Sequence, residues 1–341
     1  MTERIVPTST SAMAAGERIL ALQGLFVRGL EDLSIAPDGF RETSWLRDEG
    51  RHGGGNRFGV QDSQGLDRAS INVSQVHYDD DPTKKLASAT ALSCIVHPKQ
   101  PRAASVHLHI SWTKLRNGAG TWRMMADLNP AIPDRAQTEA FRNALQSVSP
   151  ELYEGASAQG DRYFWIPALG RHRGVSHYYL EGYSTGDFAA DLDFAERFGR
   201  AAITIYLRLL EERLDQSSSA ADRQTQLAYH SLYLFQVLTL DRGTSSGLLV
   251  HDQNDVGILG SIPGHVDRDL LASWRPLLPK LQAPLLDRIL HALPQGSPSP
   301  ITDDVKRALA QAVREHYREF PEALALQASG DVLPPTVENH R

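Results

Sequence analysis

The sequence predicts an α+β fold that contains an antiparallel sheet. The main observation is a segment from about 68 to 128 in which the periodicity approaches two. It holds four β-rich runs, at 70–77, 90–98, 105–113 and 121–127, separated by turn residues. The second observation is that apolar residues with helical spacing precede and follow this segment. Neighbouring antiparallel strands combined with such helices define the class.

The helices are predicted from apolar residues that recur every three or four positions. They are expected at about 14–34, 135–148, 187–214, 221–236 and 302–318. The last one begins at the cap Thr302-Asp303-Asp304. A further strand is expected at about 246–250, whereas the region 283–300 is rich in Pro, Gly and Ser.

Two segments connect predicted elements. The step Asn117-Gly118 predicts a hairpin between the last two β-rich runs, with room for a loop longer than two residues. Residues 51–57 are rich in Gly and Arg. They can bring backbone close to a ligand, because glycine has no Cβ, or they can form a flexible connector. The sequence leaves both interpretations open.

No internal repeat and no convincing domain boundary divides the chain. We expect an N-terminal helical segment over 1–39, a single domain over 40–325 and a flexible tail over 326–341.

Composition and charge exclude several classes of partner. The 341 residues carry a formal net charge of −6, which gives no broad attraction to nucleic acid or anionic membranes. No stretch resembles a signal peptide or a membrane-spanning helix, so we expect a cytoplasmic protein without membrane insertion. The single cysteine, Cys94, excludes an intrachain disulfide and lies in an apolar run typical of a buried thiol.

Two histidines of the run at 105–113 share one face. Because side chains alternate along a strand, His107 and His109 point to one side, and Val106, Leu108 and Ile110 point to the other. Imidazole transfers protons near neutral pH and is also the commonest ligand of transition metals. The alternative is a polar strand face with two hydrogen-bonded histidines, and the strand alone does not decide between them.

Seven blocks of the sequence stand in a characteristic order. They are FRETSWLRDEGRHGGG at 40–55, LDRASINVSQVH at 66–77, HPKQP at 97–101, SVH at 105–107, ADLNP at 126–130, RGVSHYY at 173–179 and LDRGT at 240–244. Together they resemble the oxygen-dependent coproporphyrinogen III oxidase family, which carries out two oxidative decarboxylations of a porphyrinogen. The resemblance covers roughly residues 40–270. It implies a large flat antiparallel sheet flanked by helices on both sides, a deep cleft and a homodimer.

The resemblance also implies roles for individual residues. His107, Asp127, Asp241 and Arg242 match catalytic positions, with His107 as a proton donor and Asp127 or Asp241 as the base. Ser93 and His97 match positions around the substrate. The family works without an organic cofactor and uses O₂ as co-substrate. The Asp241 and Arg242 pair can alternatively form an ion pair that fixes a turn.

The chain departs from the family where carboxylates are bound. Where the family has His-x-Asn-x-Arg, this sequence places His109 and Ser111 at the last two motif positions, so a substrate-facing arginine is missing. A Gly-Gly-Arg segment after the Asp-Arg pair is replaced by residues 251–254, again without arginine. Arginine holds carboxylates by paired hydrogen bonds, so these losses weaken recognition of a tetracarboxylate. Arg123, on the same strand face as Asp127, is the best placed substitute, and the other candidates are Arg51, Arg57, Arg102 and Arg173.

The histidine at position 109 opens a metal hypothesis. His97, His107 and His109 are a candidate ligand set for Fe, Cu or Mn, and such an ion would activate O₂. The alternatives to His97 as third ligand are His172, His177 and His251.

Three functions therefore remain as alternatives. The first is an oxidase that acts on another small aromatic or peptidyl carboxylate, with or without metal assistance. The second is a genuine coproporphyrinogen III oxidase with compensating contacts. The third is a non-catalytic homologue that binds a porphyrin or a partner.

Overall fold

A seven-stranded antiparallel sheet forms the centre of the protein. The computed structural model describes residues 4–118, 120–251 and 254–330. The strands, in their spatial order, are β1 (Arg41–Leu46), β2 (Gly53–Gln61), β3 (Leu66–His77), β4 (Leu86–Pro98), β5 (Ser105–Leu115), β6 (Gly120–Asn129) and β9 (Val175–Tyr183). All neighbouring pairs are antiparallel. The α+β class and the four predicted strands are confirmed.

One face of this sheet is apolar, because hydrophobic and polar residues alternate along the central strands. Leu108 of β5 lies between Cys94 of β4 and Ala126 of β6, and all three are buried. Each aliphatic side chain buried in this way contributes roughly 1.5–3 kcal/mol. Burial also raises the pKa of the Cys94 thiol, which is consistent with an inert core residue.

Helices cover both faces of the sheet. The apolar face packs against α1 (Thr10–Asp32), α2 (Arg135–Val148) and α4 (Phe188–Leu214). The other helices are α3 (Tyr153–Phe164), α5 (Ala220–Thr239), α6 (Arg242–Val250), α7 (Asp255–Ile258), α8 (Arg268–Ser273), α9 (Ala283–Ala292) and α10 (Asp303–Glu319). Those from α5 onward form a second apolar core that reaches the sheet at Ile95. Two short antiparallel pairs complete the fold, β7 (Trp165–Ile166) with β8 (Arg171–His172) and β10 (His265–Val266) with β11 (Ser299–Pro300).

Two local predictions were wrong. The strand expected at 246–250 belongs to helix α6, because the Asp241 side chain caps the helix by accepting from the Thr244 N–H at 2.6 Å. Periodicity cannot distinguish a strand from a helix in such a short apolar run. The region rich in Pro, Gly and Ser contains helix α9.

The glycine-rich segment is, from residue 53 onward, part of strand β2. An ideal Cβ on Gly55 would lie 2.1 Å from the Val73 carbonyl oxygen, so a larger residue does not fit between the neighbouring strands. Neither a ligand loop nor a flexible connector describes these glycines.

The end of the described chain packs on the rest of the molecule. Gln327 is buried, and the Ala328 N–H donates to the Leu240 carbonyl. Residues 331–341 of the predicted tail lie outside the described residues. Over the three described stretches, no helix combines the length and the apolar character needed to cross a membrane.

Candidate functional site

The polar face of the sheet brings His107 and Asp127 together. They lie directly opposite each other on β5 and β6, and His107 Nδ1 is 2.7 Å from Asp127 Oδ1. Because an ionised carboxylate only accepts, His107 donates from Nδ1. Its Nε2 has no hydrogen-bond partner among the described residues, and the side chain is 18% exposed. His107 can therefore exchange a proton with a ligand while Asp127 fixes its orientation.

Asp127 is completely buried and fully hydrogen-bonded. Its Oδ2 accepts from Arg173 Nη2 at 2.9 Å and from Asn129 Nδ2 at 2.7 Å. Burial opposes ionisation, but the Arg173 charge and the His107 hydrogen bond outweigh it and hold the pKa of Asp127 below its usual value. The carboxylate stays charged at neutral pH and can stabilise a protonated His107.

Arg173 is held by several contacts, although its Nε is buried without a described partner. Its Nη1 donates to Gln236 Oε1 at 2.7 Å, and its guanidinium lies 4.3 Å from the Phe164 ring centroid and 4.7 Å from that of Tyr233. Its side chain is 1% exposed. The suggestion that Arg173 binds a substrate carboxylate is wrong, since its charge is already used to hold Asp127.

Asp241 and Arg242 do not form the ion pair that the sequence left open. Asp241 caps helix α6, and its Oδ2 accepts from the Tyr163 hydroxyl at 3.0 Å. Burial and the Asp241 charge raise the pKa of Tyr163 well above its usual value, so this phenol stays protonated. Arg242 Nε is buried and has no acceptor within the described parts of the chain. Tyr163 had not been predicted, and nothing in its local sequence indicates this role.

His109 lies between two hydroxyl groups. Its Nδ1 is 2.9 Å from Ser93 Oγ across the strand pair, and its Nε2 is 3.0 Å from Ser111 Oγ on the same strand. Burial, followed by the charge of Arg123, lowers the pKa of His109 well below its usual value. His109 is therefore neutral at pH 7. Ser93, His109 and Ser111 form a continuous neutral hydrogen-bonded group on the polar face.

His97 has both ring nitrogens occupied. Its Nε2 lies 3.0 Å from the Ser261 carbonyl oxygen and therefore donates, which leaves Nδ1 to accept from Ser105 Oγ at 2.8 Å. The residue is fully buried, and burial lowers its pKa well below the usual range. His97 supports the turn at Leu259–Ser261 and does not face a ligand.

The predicted metal set of His97, His107 and His109 is not assembled. Seryl hydroxyls or backbone occupy both nitrogens of His97 and His109. Within the described residues, no group of three or more His, Cys, Asp or Glu side chains is arranged to hold a metal ion.

Arg123 lies on the predicted face, opposite Ser111. Its Nε donates to the Glu181 carboxylate, which also accepts from the Tyr179 hydroxyl at 2.5 Å. The side chain is 18% exposed, and no described residue accepts from its terminal nitrogens. The Glu181 charge outweighs burial and raises the pKa of Arg123. Arg123 can bind a carboxylate, but its charge is already partly balanced.

Two other candidate arginines are used elsewhere. Arg51 pairs with Asp80 at 2.5 Å, and Arg102 pairs with Asp222 at 3.0 Å. Within the segment that replaces the Gly-Gly-Arg motif, Asp252 and Gln253 lie outside the described residues.

A small apolar cluster borders this site. It consists of Met125, Tyr163, Phe164 and Tyr179, and Ala328 of the C-terminal segment packs against it. The C-terminal segment therefore closes one side of the polar face, an arrangement that no local pattern predicted.

Two comparisons with known proteins, one with a family model and one with individual relatives, point to the same family. Residues 15–274 match the family model described as coproporphyrinogen III oxidase. The oxygen-dependent coproporphyrinogen-III oxidase of Rickettsia akari (strain Hartford) is 27% identical over 249 residues, which are 68% of this chain and 86% of the relative. The protein of the same name from Prochlorococcus marinus (strain MIT 9301) is 27% identical over 297 residues, 75% of this chain and 85% of the relative.

Proposed function

Because the chain belongs to the coproporphyrinogen III oxidase family, and is thus an oxygen-dependent oxidoreductase, we propose that it decarboxylates coproporphyrinogen III oxidatively. The observation that carries this proposal is the pairing of His107, whose Nε2 is open, with the buried and charged Asp127. The family supplies the reaction class, and this pair supplies a group that can move a proton at the polar face of the sheet.

The reaction needs an electron acceptor and proton transfer. Conversion of one propionate into a vinyl group releases CO₂ and removes two electrons from the substrate. With O₂ as the acceptor, one propionate, one O₂ and one proton yield a vinyl group, CO₂ and H₂O₂. In our proposal His107 Nε2 exchanges the proton, and Asp127 stabilises the imidazolium that forms. No organic cofactor is required by this balance.

Substrate carboxylates are proposed to bind at Arg123 and Arg242, two arginines of this site that retain free donors. The terminal nitrogens of Arg123 face no described acceptor, and Arg242 Nε is unpaired. Ser93, His109 and Ser111 supply a neutral polar wall between His107 and Arg123. Asp241, held by Tyr163, is a further carboxylate near the site and our alternative base.

A diverged substrate is the second candidate. Ser111 stands where the family has a carboxylate-binding arginine, and Glu181 already pairs with Arg123. Both features favour an aromatic or peptidyl acid with fewer carboxylates. The similarity to the named relatives supports the first candidate more strongly, so this one is kept for the outcome in which coproporphyrinogen III is not converted.

The test is anaerobic mixing with coproporphyrinogen III, then admission of air while CO₂ release and O₂ uptake are recorded. We expect turnover, and we expect His107→Ala to lower it by roughly 10²–10⁴-fold. The matched control is His291→Ala, an exposed histidine at the end of α9, which should not change the rate. Folded protein without CO₂ release would refute this function, and binding without O₂ uptake would favour the non-catalytic alternative. Full activity of His107→Ala would remove His107 from the mechanism.

Three finer predictions accompany this proposal. Metal assistance by Fe, Cu or Mn requires His109 to leave its present partners, whereas His107 Nε2 is already open. It predicts stoichiometric metal that is lost in His109→Ala. A homodimer is expected from the resemblance and is measurable by light scattering. A cytoplasmic location is expected from the sequence.

A further inference from the structure

A polar cavity lies towards the β1 edge of the sheet. It has a volume of about 550 Å³ and is lined by residues of β1 and the segment before it, β2, β3, α7, the turn Leu259–Ser261 and the start of α10. Ser70 of β3 lines it and faces Gly260 of the turn Leu259–Ser261. Ser70 is opposite Ile95, and Ile95 is opposite His107. Two strand spacings, roughly 10 Å, therefore separate the cavity wall from His107 along this row.

Arg68 is the most unusual residue of this cavity. It is 4% exposed, and its Nη2 donates to the Ile301 carbonyl at 3.0 Å. Its Nε and Nη1 are buried and have no hydrogen-bond partner within the described chain. A buried guanidinium with two unsatisfied N–H groups is costly, and such groups in native proteins usually have a partner.

Two further cations lie beside Arg68. Lys306 of α10 is 1% exposed, and its Nζ lies 3.3 Å from Asp303 Oδ1. Burial, followed by the Arg68 charge, lowers the pKa of Lys306 to about 8. Arg57 is half-buried, and no described residue forms a hydrogen bond or an ion pair with it. Burial lowers the pKa of both Arg57 and Arg68, because nearby carboxylates compensate too little.

The carboxylates of this cavity are largely used by other partners. Asp62 pairs with Lys99 at 2.6 Å, and Asp303 accepts from Gln61 as well as from Lys306. Asp38 is exposed. The cavity therefore retains an excess of positive charge at Arg57 and Arg68.

We propose that this cavity, here called the basic pocket, binds a small organic dianion through Arg57, Arg68 and Lys306. The ligand class is a phosphate monoester or a dicarboxylate, because both present paired oxygens to guanidinium groups. The volume is within the range of small-molecule sites. Lys306 lies beyond residues 15–274, so this pocket is completed by a part of the chain outside the family match.

This assignment does not depend on the proposed catalytic function, because binding is measured without turnover. We would titrate the full chain with inorganic phosphate and with succinate at pH 7, using acetate as a singly charged control. We expect saturable one-to-one binding of at least one dianion, with much weaker acetate binding. Preference for phosphate would identify a phosphate monoester as the ligand class, and preference for succinate would identify a dicarboxylate.

Variants locate the binding. Arg68→Met and Lys306→Met should each weaken binding at least about tenfold. Arg307→Met is the matched control, since it removes the same charge from the same helix at a residue whose side chain is 59% exposed. It should leave the affinity within twofold. If Arg68→Met does not fold, Arg57→Met replaces it, since Arg57 supports no described bond. The proposal is overturned if neither dianion saturates the protein, or if Arg307→Met weakens binding as much as the pocket variants.

Discussion

The network around Asp127 and the basic pocket lie on the same polar side of one sheet, but they differ in how their charges are satisfied. Asp127 has bonds to His107, Asn129 and Arg173, and the second terminal nitrogen of Arg173 bonds Gln236. In the basic pocket, Arg68 retains two buried N–H groups without a described partner. Arg173 Nε is also buried without a described partner, but Arg173 has a direct counter-charge in Asp127, whereas Arg68 forms no ion pair with a described residue.

This difference indicates two kinds of function. A network in which buried charges are directly paired holds its groups in one geometry, which suits proton transfer from a fixed imidazole. A cluster of buried cations without enough counter-charge has an electrostatic cost that a bound anion can offset. The comparison is therefore tested by removing charges in each region.

The largest effect is expected for Arg173→Met. This change leaves the Asp127 carboxylate buried without its main counter-charge, and breaking such a pair typically costs about 3–5 kcal/mol. Urea denaturation should show that loss in the free energy of unfolding. Arg171→Met, two residues earlier and exposed, should change it by less than about 0.5 kcal/mol.

A double variant separates loss of the charge pair from loss of packing. In Asp127→Asn/Arg173→Met the uncompensated charge is gone, so part of the lost stability should return. Wild-type stability of Arg173→Met alone would show that the network is not as tightly coupled as its geometry indicates.

The parts of these regions that are local in sequence were predictable. Alternation along β5 and β6 correctly placed His107, His109 and Asp127 on one face, because a strand period of two is fixed by the backbone. The partners of these residues were not predictable, since they depend on register between distant strands. Ser93 meets His109 across such a pair, and Arg173 reaches Asp127 from a segment 46 residues away.

The basic pocket illustrates the same limit more strongly. Arg68 and Lys306 are 238 positions apart in the sequence, on a strand and on a helix whose packing no local pattern specifies. The helix cap formed by Asp241 has a related limit. An Asp before a short apolar run is compatible with a turn or with a helix start, so the sequence alone does not distinguish helix α6 from a strand.

An intermediate effect is expected from pH on anion binding. Lys306 faces Arg57 on β2, Arg68 on β3 and Asp303 on its own helix, and its pKa is lowered to about 8. Above pH 8 the free protein loses this proton, whereas a bound dianion favours the charged amine. Succinate affinity should therefore fall as pH rises from 7 to 9, by up to about tenfold, with proton uptake on binding. Calorimetry in buffers of different ionisation enthalpy measures that uptake.

The variant Lys306→Met is the control for this pH effect. Its succinate affinity should be weak and nearly independent of pH over the same interval, because the titrating amine is gone. An unchanged pH dependence in this variant would mean that another group titrates, and it would remove Lys306 from the proposed ligand contacts.

The smallest effect is expected for Arg57→Met, and it provides the sharpest contrast with Arg173→Met. Both changes remove a guanidinium from the polar side of the sheet, but Arg57 forms no hydrogen bond or ion pair with a described residue. The attraction of Asp303 to its charge is opposed by the repulsion of Arg41, so little stability should depend on it. Without added anion, the free energy of unfolding should stay within about 0.5 kcal/mol of wild type or rise slightly. With saturating succinate, wild type should gain stability as RT ln(1 + [L]/Kd), and the variant should gain less. If Arg57→Met lowers the free energy of unfolding by more than about 2 kcal/mol without anion, Arg57 is held by a partner. The contrast between a paired Arg173 and an unpaired Arg57 would then be wrong.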